Sequence, residues 1–325
     1  MSEQRTVHVA YGKTTVPLSL SPDAEWEIIQ PHYEAPLPNA QQVFLDLCKK
    51  PVGCPTLGDI VQETDRVAVV TSDGTRAVPN HLLIPWLLEV LPCPVENVTV
   101  ILGTGTHRPN TPQEIEAMVG SEVAKQVRII NHNCFDPSEN CRVGQTSTGG
   151  ETFLDRHYVE ADKRIVLGFI EPHFFAGFSG GAKGIVPAIA SRDTIFHMHS
   201  APLIADPKST WGILDENPLR QEIEEMVGLC PPDFMINVTL NLKKEISAIF
   251  AGHYQTAHRP GCEHVRKVAM RKLLHRFPIV ITSNSGFPLD QNLYQTVKGL
   301  SAAARVVEQD GLIFVASECS DGVPN

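Results

Sequence analysis

Eight short apolar runs recur along the chain and predict strands that are buried on both faces. Each run is nearly continuous rather than alternating with polar residues. Strands covered on both faces, as in a parallel sheet, have this pattern, whereas half-exposed strands alternate. The predicted strands are Val67–Ser72, Val98–Gly103, Val127–Ile130, Ile165–Gly168, Met235–Leu240, Ile246–Ala251, Ile279–Ser283 and Leu312–Ala316.

Amphipathic segments between these runs predict helices over residues 81–91, 111–119 and 217–227. Pro85 lies inside the first segment and is expected to kink it. Thr111 begins the second, and Glu114 follows three residues later, which is the pattern of a capping box. Asn217 is the expected N-cap of the third helix, since a proline follows it directly. Strands that alternate with helices indicate an α/β fold with mainly parallel sheets.

A change of pattern after residue 252 divides the chain into two predicted domains. The segment HYQTAHRPGCEH is polar, and a new strand–helix unit begins at Phe277. We therefore expect an α/β domain over residues 1–270 and a second α/β domain from residue 271 to residue 325. The chain ends with SECSDGVPN directly after a predicted strand. A strand followed by a turn normally leads into another element, so we expect the second domain to be truncated here.

Composition narrows the possible partners. The chain has 325 residues and a formal net charge of −10, and no basic arm stands out. An acidic protein of this kind is a poor default binder of nucleic acid or of anionic membranes. It has no apolar run of membrane-spanning length and no apolar N-terminal signal segment. Its eight cysteines are scattered, with no C-x-x-C pair. We therefore expect a cytoplasmic protein with reduced thiols.

Polar and titratable side chains follow three of the predicted strands. Because the carboxyl ends of parallel strands meet at one edge of a sheet, these side chains are expected to lie near one another. Such a gathering indicates a small-molecule site. The residues are Asp73 and Arg76 after the first strand, His107 after the second, and His173, Ser179, Gly180, Gly181 and Lys183 after the fourth.

Each of these residues also has a plain structural interpretation. His107 could be a turn residue bonded to a backbone carbonyl, and Arg76 a solvated surface cation. The glycines before Lys183 could serve only a loop, although two glycines and a lysine at a helix start favour an anion site. The segment lacks the Ser or Thr that a nucleotide P-loop places after its lysine.

The pair His197 and His199 gives a weak metal signal. Residues two apart on a helix do not share a face, so at most one of the two should point into a site. A catalytic zinc usually takes three protein ligands, and here a third could come only from a distant histidine such as His173 or His107. Farther along the chain, Tyr294 and Lys298 are four apart on a predicted helix and share a face.

Four segments together resemble the lactate racemase family, which comprises nickel-pincer-nucleotide-dependent racemases and epimerases of 2-hydroxy acids. They are SDGTR, GTGTHRP, EPHFFAGFSGGAK with a histidine about sixteen residues on, and LYQTVKG. The resemblance runs from about Asp73 to Asn325. It implies an α/β fold of two Rossmann-like domains with mainly parallel sheets, the first binding the cofactor and the second incomplete in this chain. One departure is Ala188, where the family often has glycine.

The resemblance also implies a cofactor and its holders. Lys183 would carry the nickel pincer nucleotide (nickel-pyridinium-3-thioamide-5-thiocarboxylic acid mononucleotide) through a thioamide, and His199 would bind the nickel. Asp73 and the Ser179–Gly181 loop would contact the nucleotide. Separate biosynthesis proteins, met transiently, would supply the cofactor.

The remaining implied roles concern the substrate. His107 and His173 would be the two acid–base histidines of an isomerase, one for each enantiomer of a lactate-like 2-hydroxy acid, which would react through its 2-keto acid. The substrate carboxylate would be held by Arg76, Gln295 and Lys298, with Tyr294 beside them. Two alternatives stay open at this point: a non-catalytic binder of small molecules, and a zinc-dependent hydrolase that uses His107, His173 and His199.

Overall fold

A computed structural model of the chain describes residues 5–323. The first residues of the N-terminal segment, 1–4, and the last two of SECSDGVPN lie outside the described residues. The strands are β1 (Arg5–Tyr11), β2 (Thr14–Leu20), β3 (Val67–Ser72), β4 (Val98–Gly103), β5 (Arg128–Asn131), β6 (Asn140–Gln145), β7 (Glu151–Asp155), β8 (Lys163–Phe169), β9 (Pro172–His173), β10 (Gly177–Phe178), β11 (Phe234–Leu240), β12 (Ile246–Gly252), β13 (Phe277–Ser283) and β14 (Val307–Ala316).

Helices connect most of these strands. They are α1 (Ala40–Lys49), α2 (Leu57–Ile60), α3 (Asn80–Val90), α4 (Pro112–Val119), α5 (Ser121–Gln126), α6 (Arg156–Val159), α7 (Arg192–Met198), α8 (Ala201–Ala205), α9 (Pro218–Gly228), α10 (His258–Ala269) and α11 (Leu293–Ala304). Single turns of 3₁₀-helix occur at Val95–Asn97, Pro137–Glu139 and Gly181–Gly184.

The described residues divide into two compact units. The larger unit contains residues 32–74 and 78–270, and the smaller one contains residues up to Pro31, Thr75–Ala77 and the chain from Arg271 onward. The domain division expected from the sequence, at residue 270, stays a prediction. The compact units also divide at that point, and in addition they group the N-terminal hairpin β1–β2 with the C-terminal segment.

The larger unit is built on a six-stranded sheet in the order β12-β11-β8-β3-β4-β5. All neighbours are parallel except β11 and β12. Along β3, Val67 and Val69 belong to one hydrophobic cluster and Ala68 and Val70 to another. Both faces of the strand are therefore buried, which explains why its sequence is continuously apolar.

Each face of this sheet has its own covering layer. Helices α1 and α3 cover one face with Phe44, Leu83 and Leu87. The opposite face is covered by the segment around Ile185 and by α9, which contributes Leu219 and Ile223. Both faces of the sheet are therefore covered. The loops that follow β3, β4 and β8 lie at its carboxyl edge.

The smaller unit has two pairs of strands. Strands β1 and β2 form an antiparallel hairpin, and β13 and β14 pair in parallel. Helix α11 connects β13 to β14, which makes a strand–helix–strand unit. The side chain of Asn292 caps α11 by accepting a hydrogen bond from the backbone N–H of Gln295.

The predicted α/β fold is confirmed, and all eight predicted strands are present. Thr111 and Glu114 form the expected capping box, and Asn217 caps α9. Helix α3 continues through Pro85. The sequence reasoning missed the hairpins β1–β2 and β6–β7 and helix α1. Among the described residues, no helix has the length and apolar character needed to cross a membrane.

The interior of α1 gives a test of this packing. Phe44 has no exposed surface, and its ring meets that of Trp86 edge-on at 5.6 Å between centroids. We predict that Phe44→Ala lowers the free energy of unfolding by about 3–5 kcal/mol, because it leaves a cavity in the core. The matched control Phe135→Ala, at a ring that is 59% exposed, should change it by no more than about 0.5 kcal/mol. Urea unfolding followed by circular dichroism measures both, and equal losses would contradict the predicted packing.

Candidate active site

A histidine and a buried aspartate meet where β3 and β4 end. The two strands pair in register up to Ser72 and Gly103, so the loops that follow them start side by side. Nδ1 of His107 lies 2.7 Å from Oδ2 of Asp73, whose carboxylate is buried. A carboxylate accepts, so Nδ1 of His107 carries the proton and Nε2 keeps its lone pair. His107 is thereby held in the tautomer whose Nε2 can accept a proton.

Two asparagines hold these loops in place. Oδ1 of Asn110 accepts from the backbone N–H of Gly74, 2.9 Å away. Oδ1 of Asn131, at the end of β5, accepts from the backbone N–H of Asn110 at 2.8 Å, and its Nδ2 donates to the carbonyl of Asn110. The ends of three neighbouring strands are therefore joined by side-chain to backbone hydrogen bonds. The sequence reasoning missed both asparagines, although each follows or ends a predicted strand.

His173 is the last residue of β9, directly before the tight turn to β10. Its Nδ1 accepts hydrogen bonds from the backbone N–H groups of Phe175 and Ala176, at 3.2 and 3.1 Å. The imidazole is buried and tilts against Phe174, with 4.9 Å between ring centroids. Its environment thus differs from that of His107, because backbone donors rather than a carboxylate face Nδ1.

Residues 179–181, called the glycine loop below, follow this turn and are held by hydrogen bonds within the larger unit. Ser179 Oγ donates to the carbonyl of Phe169 and accepts from the backbone N–H of Glu171, both at 2.9 Å. The N–H of Gly181 donates to Oδ1 of Asn237 on β11, at 2.8 Å. The backbone of Gly181 has a φ of +56°, which side-chain-bearing residues rarely adopt.

Two buried basic side chains support the same loop from α9 and α10. Arg220 donates through Nη1 to the carbonyl of Phe178 and through Nε to Glu224. His258 donates through Nε2 to the carbonyl of Ser179 at 2.7 Å and receives a hydrogen bond from Arg220 at Nδ1. Burial and the neighbouring charge of Arg220 lower the pKa of His258 to about 3. His258 is therefore neutral and acts as a structural donor.

Lys183 and His199 lie near each other beyond this loop. Lys183 is half-buried on the 3₁₀ turn Gly181–Gly184. Burial lowers the pKa of His199, and the charge of Lys183 lowers it again. His199 donates from Nδ1 to the carbonyl of Ile195 at 2.9 Å. Its neutral ring therefore keeps the lone pair on Nε2, which is the form that binds a metal ion.

His197 has different neighbours. Its Nε2 lies 3.2 Å from the buried carboxylate of Glu222 and 3.4 Å from Thr148 Oγ1. Within residues 5–323, no group of three or more His, Cys, Asp or Glu side chains could hold a metal ion. The three-histidine zinc site considered from the sequence is thus not assembled. The neutral Nε2 of His199 could occupy one position on a metal held by an organic group.

In the smaller unit, two cationic side chains donate hydrogen bonds to the same side-chain amide. Oε1 of Gln295 accepts from Nη1 of Arg76 at 3.0 Å and from Nζ of Lys298 at 2.7 Å. Gln295 is fully buried, and its Nε2 has no hydrogen-bond partner among the described residues. Tyr294 is half exposed beside it on α11. Two cations and an unsatisfied amide donor form a site suited to a carboxylate.

The predicted site residues thus fall into two groups. The larger unit holds Asp73, His107, His173, Ser179, Gly180, Gly181, Lys183 and His199, and the smaller unit holds Arg76, Tyr294, Gln295 and Lys298. The roles assigned to them from the resemblance stay predictions. Oδ2 of Asp73 is engaged by His107, so a nucleotide contact is at most a second task of this carboxylate.

The support from His258 gives a prediction about pH. In the unfolded chain histidine has its ordinary pKa of about 6.5, while in the folded chain the pKa of His258 is about 3. As pH falls below the unfolded value, the unfolded state gains a proton that the folded state does not. The stability that neutral His258 contributes is therefore complete above about pH 6.5 and declines towards pH 3, by up to about 1.4 kcal/mol per pH unit.

In His258→Gln this part of the pH dependence is absent. We expect the wild-type advantage in free energy of unfolding to shrink by about 2 kcal/mol between about pH 6.5 and pH 5. The control Asn237→Ala removes another support of the same loop without removing a titratable group, so its stability difference from wild type should not follow this course. Denaturant titrations at several pH values measure both, and a constant gap for His258→Gln would contradict a neutral buried imidazole.

Comparison with known proteins shows which family the chain resembles. Residues 11–212 match the lactate racemase N-terminal domain family and residues 275–324 the lactate racemase C-terminal domain family. The chain is 34% identical over 323 residues to a lactate racemase of Thermoanaerobacterium thermosaccharolyticum, covering 97% of this chain and 75% of that protein. It is 36% identical over 274 residues to a lactate racemase of Lactiplantibacillus plantarum, covering 84% of this chain and 64% of that protein.

Solved structures show the same relationship. The lactate racemase apoprotein of T. thermosaccharolyticum superposes with a TM-score of 0.87 at 33% identity, over 99% of this chain and 76% of that one. A protein from Thermotoga maritima gives a TM-score of 0.62 at 23% identity, over 77% of this chain and 64% of that one, which shows a common fold. The two family matches, the identities and the superposed structure together establish that the chain belongs to the lactate racemase family, a family of isomerases.

Proposed function

We propose that the chain interconverts the enantiomers of lactate or of a closely similar 2-hydroxy acid, with a nickel pincer nucleotide attached to Lys183. The pairing of His107 with Asp73 at 2.7 Å is the observation that supports this most directly. Removal of a hydroxyl proton needs a base held in the right tautomer, and a buried carboxylate on Nδ1 provides it. The curated relatives are named lactate racemase, which makes lactate the first substrate to test.

The substrate carboxylate is assigned to Arg76, Lys298 and Gln295. Both cations donate to the same amide oxygen, so their charges are close enough together to share one carboxylate. The unpartnered Nε2 of Gln295 supplies a further donor to the same anion. A carboxylate bound at two or more points is fixed in orientation, which brings C2 and its hydroxyl to a defined place.

Lys183 and His199 are assigned to the cofactor. His199 binds nickel through Nε2, and the glycine loop of residues 179–181 together with Asp73 contacts the nucleotide. When bound, this group supplies the hydride acceptor and donor, because a direct loss of the proton on C2 is costly and oxidation to the planar 2-keto acid avoids it. Biosynthesis proteins that bind the chain transiently deliver the group.

Side chains of the protein transfer the proton of the substrate hydroxyl. Nε2 of His107 takes the hydroxyl proton of one enantiomer, and Asp73 stabilises the imidazolium that results. The carbonyl carbon of the keto acid is planar, so hydride can return to either face. His173 serves the oxygen of the other enantiomer, on which the hydroxyl has the opposite orientation.

One experiment tests the whole proposal. The chain is produced together with nickel and the cofactor-assembly proteins. Peptide mass spectrometry then shows whether Lys183 carries an adduct, and a single enantiomer of lactate is supplied as substrate. We expect a nucleotide-sized adduct on Lys183 and the appearance of the opposite enantiomer in chiral chromatography. Lys183→Arg should lose both, while the control Lys125→Ala, at an exposed lysine, should keep both. An unmodified Lys183 under these conditions, with no racemisation of any 2-hydroxy acid tried, would overturn the proposal.

Substitution of Asp73 separates its two possible tasks. We predict that Asp73→Asn lowers kcat by on the order of 100-fold or more, because the amide stabilises the His107 imidazolium poorly. The Lys183 adduct and its nickel should remain. If the cofactor is lost instead, while the free energy of unfolding is unchanged, the main task of Asp73 is to bind the nucleotide rather than to hold His107.

A further inference from the structure

The two histidines of the proposed site are held in opposite tautomers. Nδ1 of His107 faces a carboxylate oxygen, which is an acceptor, so this nitrogen carries a proton. Nδ1 of His173 faces two backbone N–H donors, from Phe175 and Ala176, so this nitrogen carries a lone pair. In neutral imidazole the other nitrogen has the opposite character. His107 therefore offers an acceptor at Nε2, and His173 offers a donor.

The ring orientations that give this result are fixed by their surroundings. A half-turn of the His173 ring would place a carbon opposite the N–H groups of Phe175 and Ala176. Ala176 is fully buried, and an unsatisfied buried N–H costs about 1–3 kcal/mol. A half-turn of His107 would likewise take its Nδ1–H from the buried carboxylate of Asp73. Each ring is thus bound to its tautomer by partners that the fold supplies.

We propose that the two histidines are not interchangeable: in the resting protein His107 is held as the base, and His173 is held as a hydrogen-bond donor to the substrate oxygen. His173 can act as a base only after its proton leaves Nε2 and its two backbone hydrogen bonds are given up. This inference rests on the proposed function, since it concerns the same acid–base pair.

The consequences for the two enantiomers differ. When the hydroxyl faces His107, its proton passes to Nε2, the C–O bond becomes C=O, and the bound cofactor would supply the acceptor for the hydride on C2. When hydride returns to the other face, the oxygen takes the Nε2 proton of His173, while Nδ1 of His173 gains a proton from solvent and His107 returns its proton to solvent. When the hydroxyl faces His173, its oxygen meets an N–H and no lone pair is available for the proton. That enantiomer must wait for the imidazole to change tautomer, so its turnover is slower.

Thermodynamics limits how this asymmetry shows in steady-state kinetics. Two enantiomers have equal free energies in solution, so kcat/KM must be the same for both directions. A slow tautomer change for one enantiomer therefore lowers its kcat and its KM in the same proportion. If the contacts at His173 had a purely structural role, the ratio of the two kcat values would not depend on the tautomer of His173.

The tautomers can be read directly in the full chain without cofactor. The protein is labelled with ring-¹⁵N histidine, and long-range ¹H–¹⁵N spectra are recorded at a pH about two units above the ordinary histidine pKa. The signals lost in His107→Gln and His173→Gln assign the two rings. If His173→Gln fails to fold, His173→Asn serves instead, because its Oδ1 can still accept the two backbone hydrogen bonds.

We expect His107 to be protonated at Nδ1 and His173 to be protonated at Nε2 alone. The exposed ring of His275 is the control and should sample both tautomers. A His173 signal with a proton on Nδ1, or one that averages both tautomers as His275 does, would overturn the inference. This readout needs neither nickel nor substrate, so it can fail while the proposed racemisation stands.

Kinetics of the loaded enzyme tests the consequence. We expect kcat to differ several-fold between the two enantiomers of lactate, with KM differing by the same factor. Equal kcat values in both directions would show that the tautomer of His173 does not affect turnover and would overturn the functional part of the inference. The absence of turnover in either direction, with an intact adduct on Lys183, contradicts the proposed function instead.

Discussion

The loop that carries Lys183 keeps its shape because buried side chains satisfy its backbone polar groups. Arg220 and His258 donate to the carbonyls of Phe178 and Ser179, and Asn237 accepts from the N–H of Gly181. A buried backbone group without a partner costs about as much as a lost hydrogen bond. The glycine loop can therefore adopt positive φ values inside the unit only because strand β11 and helices α9 and α10 present these three side chains at the right places.

The same constraint explains why the catalytic groups proposed here are precisely oriented although they lie on loops. Hydrogen bonds of Asn110 and Asn131 join the loops after β3, β4 and β5. At the start of the glycine loop, Ser179 Oγ bonds the backbone carbonyl of Phe169. Loops are normally mobile because few contacts hold their backbone. Here side-chain to backbone hydrogen bonds replace those contacts, so the parallel sheet transmits its rigidity to the side chains at its edge.

The hydrophobic pattern of the sequence was sufficient to predict the strands that are buried on both faces. It did not predict the elements that are only partly buried. Strand β3 reads as continuously apolar because its alternate side chains enter different clusters. Hairpin β1–β2 is mostly exposed, and cross-strand pairs stabilise it. Such pairs leave little periodic signal in a single sequence.

The candidate site divides in a similar way. The strand-end rule found Asp73 and His107, since it depends only on topology. It could not find Asn237 or His258. Each of these side chains matters because it bonds a backbone group of a loop that is distant in sequence, and only the tertiary structure shows that pairing. Likewise it could not show that Asp73 faces His107 and that Gln295 collects two cations.

Two side chains of one type acquire different chemistry from the partners that the fold places on Nδ1. A carboxylate on Nδ1 fixes a proton there, so Asp73 leaves the lone pair of His107 on Nε2. Backbone N–H groups on Nδ1 do the reverse, because they hold a lone pair there and leave the proton of His173 on Nε2. A racemase acts on two mirror-image substrates, yet a folded chain of L-residues has no mirror symmetry and cannot give both faces of a substrate the same environment. The short turn between β9 and β10, which supplies donors where the loop after β3 supplies a carboxylate, is where this asymmetry enters the proposed chemistry.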